Sequence, residues 1–170
     1  PVKMTAISAN HRVRRIQPNG DVATLAGAGA GYADGVGTKA LFNQPIGVAL
    51  DAHGNIIVAE HAGHRIRKVT PSGVVTTVAG TGTEGLKDGD PLLASFRYPL
   101  GVAVDSAGAI YVADRHNHRI RKIAGGAVST VAGNGSAGWK DGPALQGSLH
   151  YPVNLALDAQ GNLFIGDGRG

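Results

Sequence analysis

The stretch Val102-Ala-Val-Asp-Ser-Ala-Gly-Ala-Ile-Tyr-Val-Ala-Asp-Arg-His-Asn-His-Arg-Ile120 decides the fold. An apolar run ends in an acid, a small turn with glycine follows, and a second apolar run ends in another acid. A polar loop then leads into alternating basic residues. Short runs of aliphatic and β-branched residues between such turns read as strands. The same pattern occupies Val48 to Ile66, 54 residues earlier, and begins again at Leu155, 53 residues later. Other landmarks keep the spacing: Pro45, Pro99 and Pro152; Asp34-Gly35, Asp88-Gly89 and Asp141-Gly142; His11-Arg12, His64-Arg65 and His118-Arg119. A fixed period of this size means one supersecondary unit used repeatedly. A residue present in every repeat serves the repeat, and a residue that breaks the pattern is the better candidate for chemistry.

One unit, 45–98, reads as four strands over 47–51, 56–60, 65–69 and 74–79, followed by a long connection over 80–98. Four short antiparallel strands with turns between them make a β-meander, and meanders repeated in this way are the blades of a propeller. The fold class is therefore all-β: a β-propeller of four-stranded antiparallel blades, three repeats per chain. The organisation is a partial blade over 1–44, full repeats over 45–98 and 99–151, and a partial blade over 152–170. No regular helix longer than about two turns is expected.

Composition agrees with this. The chain has 27 glycines, 8 prolines and few aromatics, and its 42% hydrophobic content is ordinary for a globular protein, which speaks against disorder. The lack of cysteine excludes disulfides and thiolate chemistry without fixing a compartment. No run approaches the ~20 apolar residues of a membrane helix. No signal peptide is visible, and Pro1 suggests a processed or truncated start. Net charge is +4, and nine of the 16 Lys and Arg fall in three copies of one segment: Arg12, Arg14, Arg15; Arg65, Arg67, Lys68; Arg119, Arg121, Lys122. This stripe reads as a solvated strand face whose Arg stems cover apolar neighbours. Nucleic acid is the weaker reading, because no aromatic alternates with the basic residues as base stacking would want.

Val102 to Ile120 resembles the signature of NHL-repeat β-propellers. The long connection, Val-Ala-Gly-x-Gly-x-x-Gly-x-x-Asp-Gly followed by Phe or Leu and Pro, resembles the longer-repeat variety of that family. The resemblance covers essentially the whole chain except residues 1–10, where Ile7 stands in place of Glu60, Asp114 and Asp167. The opening segment is therefore expected to be displaced or irregular. The resemblance implies a binding scaffold. It also brings two alternatives: some relatives are metal-dependent lyases of amidated-peptide maturation, with a metal held in the central channel by His from several blades, and others bind RNA.

Several motifs imitate chemistry. Gly80-Thr-Gly-Thr-Glu-Gly85 and Gly133-Asn-Gly-Ser-Ala-Gly138 spell G-x-G-x-x-G after a strand, but no convincing helix follows to hold a pyrophosphate. Tight glycine turns explain them better. Glu60, His61 and His64, and Asp114, His116 and His118, have metal-ligand chemistry. The carboxylate and the last His recur, so a structural network of hydrogen bonds and ion pairs is preferred. His61 and His116 do not share a repeat position and are the more interesting pair. Asp51, Asp105 and Asp158 each precede a turn whose N–H groups they would cap. No nucleophile elbow is present.

In a meander, the loops after strands two and four emerge on one face, so 61–64 and 115–118 lie with the long connections. Loops on a rigid scaffold carry binding. The ligand-binding candidates there are His61, His116, Arg97, Trp139, His150 and Tyr32, with no catalytic residue, metal or cofactor. The expected function is a non-enzymatic binding module recognising a protein or small ligand on that face. Three blades are too few to close a ring, so a homodimer of six blades is expected, the alternative being a fragment of a longer propeller.

Overall fold

The computed structural model describes residues 3–7 and 10–168. Its strands fall into four consecutive sheets. The first contains β1 (Lys3–Ile7), β2 (Arg12–Ile16) and β3 (Val22–Ala26). The second is a full blade of β5 (Pro45–Leu50), β6 (Ile56–Glu60), β7 (Arg65–Val69) and β8 (Val74–Ala79), with the short β4 (Gly35–Val36) added outside β8. The third is β9 (Pro99–Val104), β10 (Ile110–Asp114), β11 (Arg119–Ala124) and β12 (Ala127–Ala132). The fourth is β13 (Pro152–Leu157) with β14 (Leu163–Asp167). All pairs within the blades are antiparallel. Single 3-10 turns occur at Gly37–Lys39 and Arg115–Asn117.

The turns are made locally. Asp51 Oδ1 accepts hydrogen bonds from the backbone N–H groups of His53 and Asn55 at 2.9 and 2.8 Å, and Asp105 and Asp158 repeat the pattern. These side chains close the first hairpin of each blade. At the centre, the first strands β5, β9 and β13 lie side by side. The approach is so close that a Cβ on Gly47 would strike the carbonyl oxygen of Leu100, and one on Gly101 that of Val153. Glycine two residues after the repeated proline is what lets neighbouring blades meet.

The core lies between blades. Ile57, Ala59, Ile66 and Ala79 of one blade pack with Val102, Ile110, Val112, Ile123 and Val128 of the next, and Phe96 from the intervening connection is fully buried among them. Phe42 does the same one repeat earlier, against Val13, Ile56, Val58, Val69 and Val75. The long connections thus supply the wedge that joins two sheets.

Two sequence expectations need correction. The opening segment is not displaced: β1 pairs with β2 and sets Ile7 opposite Arg12, as Glu60 stands opposite Arg65 and Asp114 opposite Arg119. A strand ladder needs only main-chain N–H and C=O groups, so the missing acid does not prevent pairing. Residues 1, 2, 8 and 9 of that segment lie outside the described residues. Nor is the basic stripe a solvated face throughout. Arg67 and Arg121 are 0% exposed. Arg67 donates to Glu60 at 3.0 Å and to Asp34 at 2.7 Å. Arg121 donates to Asp114 at 2.7 Å and to Asp88, and also to the carbonyls of Ser95 and Lys87. Burial raises the Glu60 and Asp114 carboxyls above the usual range, while their arginines and the backbone donors on them pull the other way.

The acid of the Asp-Gly pair therefore belongs to the following blade. Asp34 also accepts from the Thr77 N–H, and Asp88 from the Thr130 N–H. The glycines beside them reach the same outer strands: Gly35 pairs with Val75 and Gly89 with Val128. Each connection covers the outer edge of the blade after it.

Candidate functional site

The loop after the second strand of each full blade faces the end of the next long connection. Three contacts of one kind hold them together. His11, His64 and His118 all adopt left-handed backbone, with φ of 52°, 52° and 53°. Their Nδ1 atoms accept hydrogen bonds from the backbone N–H groups of Gln44, Tyr98 and Tyr151 at 3.1, 3.2 and 3.2 Å. Gln44, Tyr98 and Tyr151 are themselves left-handed, and each precedes the repeated proline. The acid ending the second strand adds a clamp beside the latch: Glu60 accepts from the Asn43 N–H, Asp114 from the Arg97 N–H and Asp167 from the His150 N–H, at 2.7 to 2.9 Å.

On this frame stands a continuous run of rings. His61 lies 5.1 Å from Tyr98, Tyr98 lies 4.6 Å from His116, and His116 lies 5.2 Å from Tyr151. Tyr151 lies 5.0 Å from His150, and His150 lies 5.1 Å from Trp139. The run crosses from the second sheet to the fourth and ends on a Trp that is 70% exposed. Arg115 adds positive charge: its guanidinium sits 5.0 Å above the Tyr151 ring, and its Nη1 is 2.8 Å from His116 Nε2. A guanidinium only donates, so Nε2 accepts and His116 is held neutral. Burial lowers the His116 pKa, and the Arg115 charge lowers it further. His61 is lowered chiefly by burial as well. The Nδ1 of His150 is buried without a hydrogen-bond partner among the described residues.

Of the six candidate residues, His61, His116, His150 and Trp139 belong to this run. Arg97 and Tyr32 do not. Arg97 is exposed and pairs with Glu84 at 3.2 Å. Tyr32, at the repeat position of Trp139, lies under the Arg65 guanidinium, 3.7 Å from its ring centre, with its hydroxyl 3.2 Å from Thr77. The arrangement offers stacking surfaces, neutral imidazoles and one guanidinium. Among the described residues no three His, Asp or Glu side chains converge as metal ligands would. Sequence reasoning missed Tyr98, Tyr151 and Arg115. A signal existed for the tyrosines, since Gln44, Tyr98 and Tyr151 share one repeat position and only two are aromatic.

The glycine motifs have a different occupation. Arg65 Nη2 donates to the Thr81 carbonyl at 2.7 Å and Arg119 Nη2 to that of Asn134 at 2.9 Å. A Cβ on Gly82 or Gly135 would collide with those guanidinium groups. The loops wrap an arginine of their own blade, with no helix behind them.

The NHL repeat family model matches residues 42–69 and 96–123. Both matches run from the wedge phenylalanine, Phe42 or Phe96, to the third strand of a blade. The chloroplastic Protein SUPPRESSOR OF QUENCHING 1 of Arabidopsis thaliana is 40% identical over 91 residues, covering 53% of this chain and 9% of that protein. NHL repeat-containing protein 2 of Bos taurus is 38% identical over 97 residues, covering 55% of this chain and 13% of that protein. The chain thus spans only about a tenth of the length of the curated relatives it matches. A structural genomics protein of unknown function from Bacteroides thetaiotaomicron superposes with a TM-score of 0.79 at 24% identity, over 94% of this chain and 40% of the other. The matches coincide with the blades: the chain carries NHL repeats at residues 42–69 and 96–123, is similar to NHL repeat-containing proteins over about half its length, and shares its β fold with that solved structure.

Proposed function

We propose that this propeller segment is a non-enzymatic binding module that takes a protein or small ligand on its long-loop face, against the rings of His61, Tyr98, His116, Tyr151, His150 and Trp139. The observation that carries the reading is that these rings form one unbroken surface across three sheets, although most of them are not repeat landmarks. Aromatic and imidazole rings give large contact area at little entropic cost, and Arg115 adds a charged donor. The alternative, a metal-dependent lyase, is weakened by Arg115, whose guanidinium faces the His116 nitrogen that a metal would need.

The test is a screen of aromatic carboxylates and short peptides by amide chemical-shift mapping. Hits are expected to shift the amides of His61, Tyr98, His116 and Tyr151, and His116→Ala with Trp139→Ala is expected to weaken them by at least about tenfold. Hits confined to the opposite face, around His53 and Ser106, overturn the reading. A second copy completing the ring belongs to the same proposal. Arg14 stands at the repeat position of Arg67 and Arg121, and its buried Nε has no partner among the described residues. A stable monomer at micromolar concentration by light scattering removes this part.

A further inference from the structure

We propose that His64 and His118 are acid-released latches between blades, which free Tyr98 and Tyr151 when protonated and so take apart the ring surface they build. This rests on the binding reading for its consequence, but not for its chemistry. In each latch Nδ1 is the acceptor of a backbone N–H. An imidazolium carries a proton on both nitrogens and accepts nothing. Protonation therefore sets N–H against N–H and ends the bond. The ring contacts of His64 with Tyr98 at 4.7 Å and of His118 with Tyr151 at 4.5 Å do not depend on that proton. The backbone tie does.

The recurrence argues that the geometry is built rather than incidental. His11 makes the same bond to Gln44, with the same left-handed backbone on both partners. What is particular to His64 and His118 is the payload. The residues they hold are tyrosines, and those tyrosines flank His116 on both sides. One residue before each tyrosine the chain is held by a carboxylate, the buried Asp114 on the Arg97 N–H and the exposed Asp167 on the His150 N–H, so release is local to the tyrosine.

The surroundings set the direction. His64 faces Glu84, which favours the proton, and His61, Arg65 and Arg97, which oppose it. His118 faces Asp167, which favours the proton, and His150, Arg119 and Arg97, which oppose it. Burial is the largest influence on both and also opposes it, so both imidazoles lie below their ordinary pKa. The unfolded chain takes up these protons first as pH falls through about 6.5. Stability from the latches is then complete above about pH 6.5 and is lost progressively as pH falls toward the lower folded values. Within that window the unfolding constant rises by up to about tenfold per pH unit for each latch.

The experiment compares the parent chain with His64→Asn/His118→Asn. Asn tolerates left-handed backbone, and its Oδ1 can accept the same N–H without titrating. In the parent, the Tyr98 and Tyr151 amide resonances are expected to move, and their exchange protection to fall, as pH is lowered from neutrality to below the ordinary imidazole range of about 6.5. In the double variant those amides are expected to stay still, and the pH dependence of unfolding to flatten by up to two protons. His61 and His116 are present in both proteins but are coupled to His64 and His118, so the Tyr98 and Tyr151 amides, which report the latch bonds directly, are the deciding readout. Parent amides of Tyr98 and Tyr151 that ignore pH overturn the proposal even if the variant fails to fold. A folded variant with the parent's pH dependence overturns it too. None of these readouts uses a ligand, so failure of the binding reading leaves them intact.

Discussion

Two arginines show how a residue's role depends on distant sequence. Arg67 and Arg121 sit in the same basic segments as Arg65 and Arg119, yet only the former are fully buried. Their carboxylate partners come from seven residues earlier and from 33 residues earlier, in a different repeat. Nothing in the local segment announces this, so the stripe reads as surface until the connections are placed. Removing one partner of a buried pair leaves an uncompensated charge. Arg121→Leu leaves Asp114 and Asp88 without their cation and is expected to destabilise by about 3–5 kcal/mol, measured by urea unfolding. Asp114→Asn at the same bond is expected to cost less, because the amide still accepts a hydrogen bond. Equal losses would mean that the charge itself is unimportant. The binding candidates show the same limit. His61 and His116 were legible because they break the repeat. Tyr98 and Tyr151 fall on a repeat landmark, and their meeting with His116 follows only from left-handed backbone that the sequence does not declare.

At the level of elements, the strands were legible almost to their ends, because alternation and turn residues are local signals. The acids at Asp51, Asp105 and Asp158 cap their turns as the sequence implies. The long connections were not legible. Their strand pairing at Gly35 and Gly89 and their wedges Phe42 and Phe96 are tertiary, set by the neighbouring blade. Phe96→Ala is therefore expected to cost about 3–5 kcal/mol, comparable with core positions in strands. Val112→Ala, fully buried in β10, is expected to cost about 1–4 kcal/mol, and exchange of the exposed Ser106 for another small polar residue to stay within about 0.5 kcal/mol. Gly101→Ala places a methyl against the Val153 carbonyl and is expected to cost about 1–3 kcal/mol through overpacking. Thermal denaturation of the four variants ranks them, and a neutral Gly101→Ala would show that the blades can separate at the centre.

For the molecule as a whole, the repeat period gave the architecture, while the coupling between repeats had to be seen. The first two junctions each carry one wedge, one carboxylate clamp and one histidine latch, and the third carries the clamp and the latch. Amide exchange is therefore expected to show β5–β8 and β9–β12 opening together, with nearly equal protection, and independent opening of one of them would contradict that coupling. The parts are also ordered in time. The Asp-Gly segment that covers a blade's outer edge and pairs with its buried arginine precedes that blade in the chain. On the ribosome it has already emerged when the fourth strand arrives, so each sheet meets its own edge cover at once and need not wait for the sequence that follows. The wedge phenylalanine and the latch tyrosine come later. A growing chain of this kind shields the outer edge of each four-stranded blade as soon as that blade is complete, when an unpaired strand would otherwise be open to its neighbours.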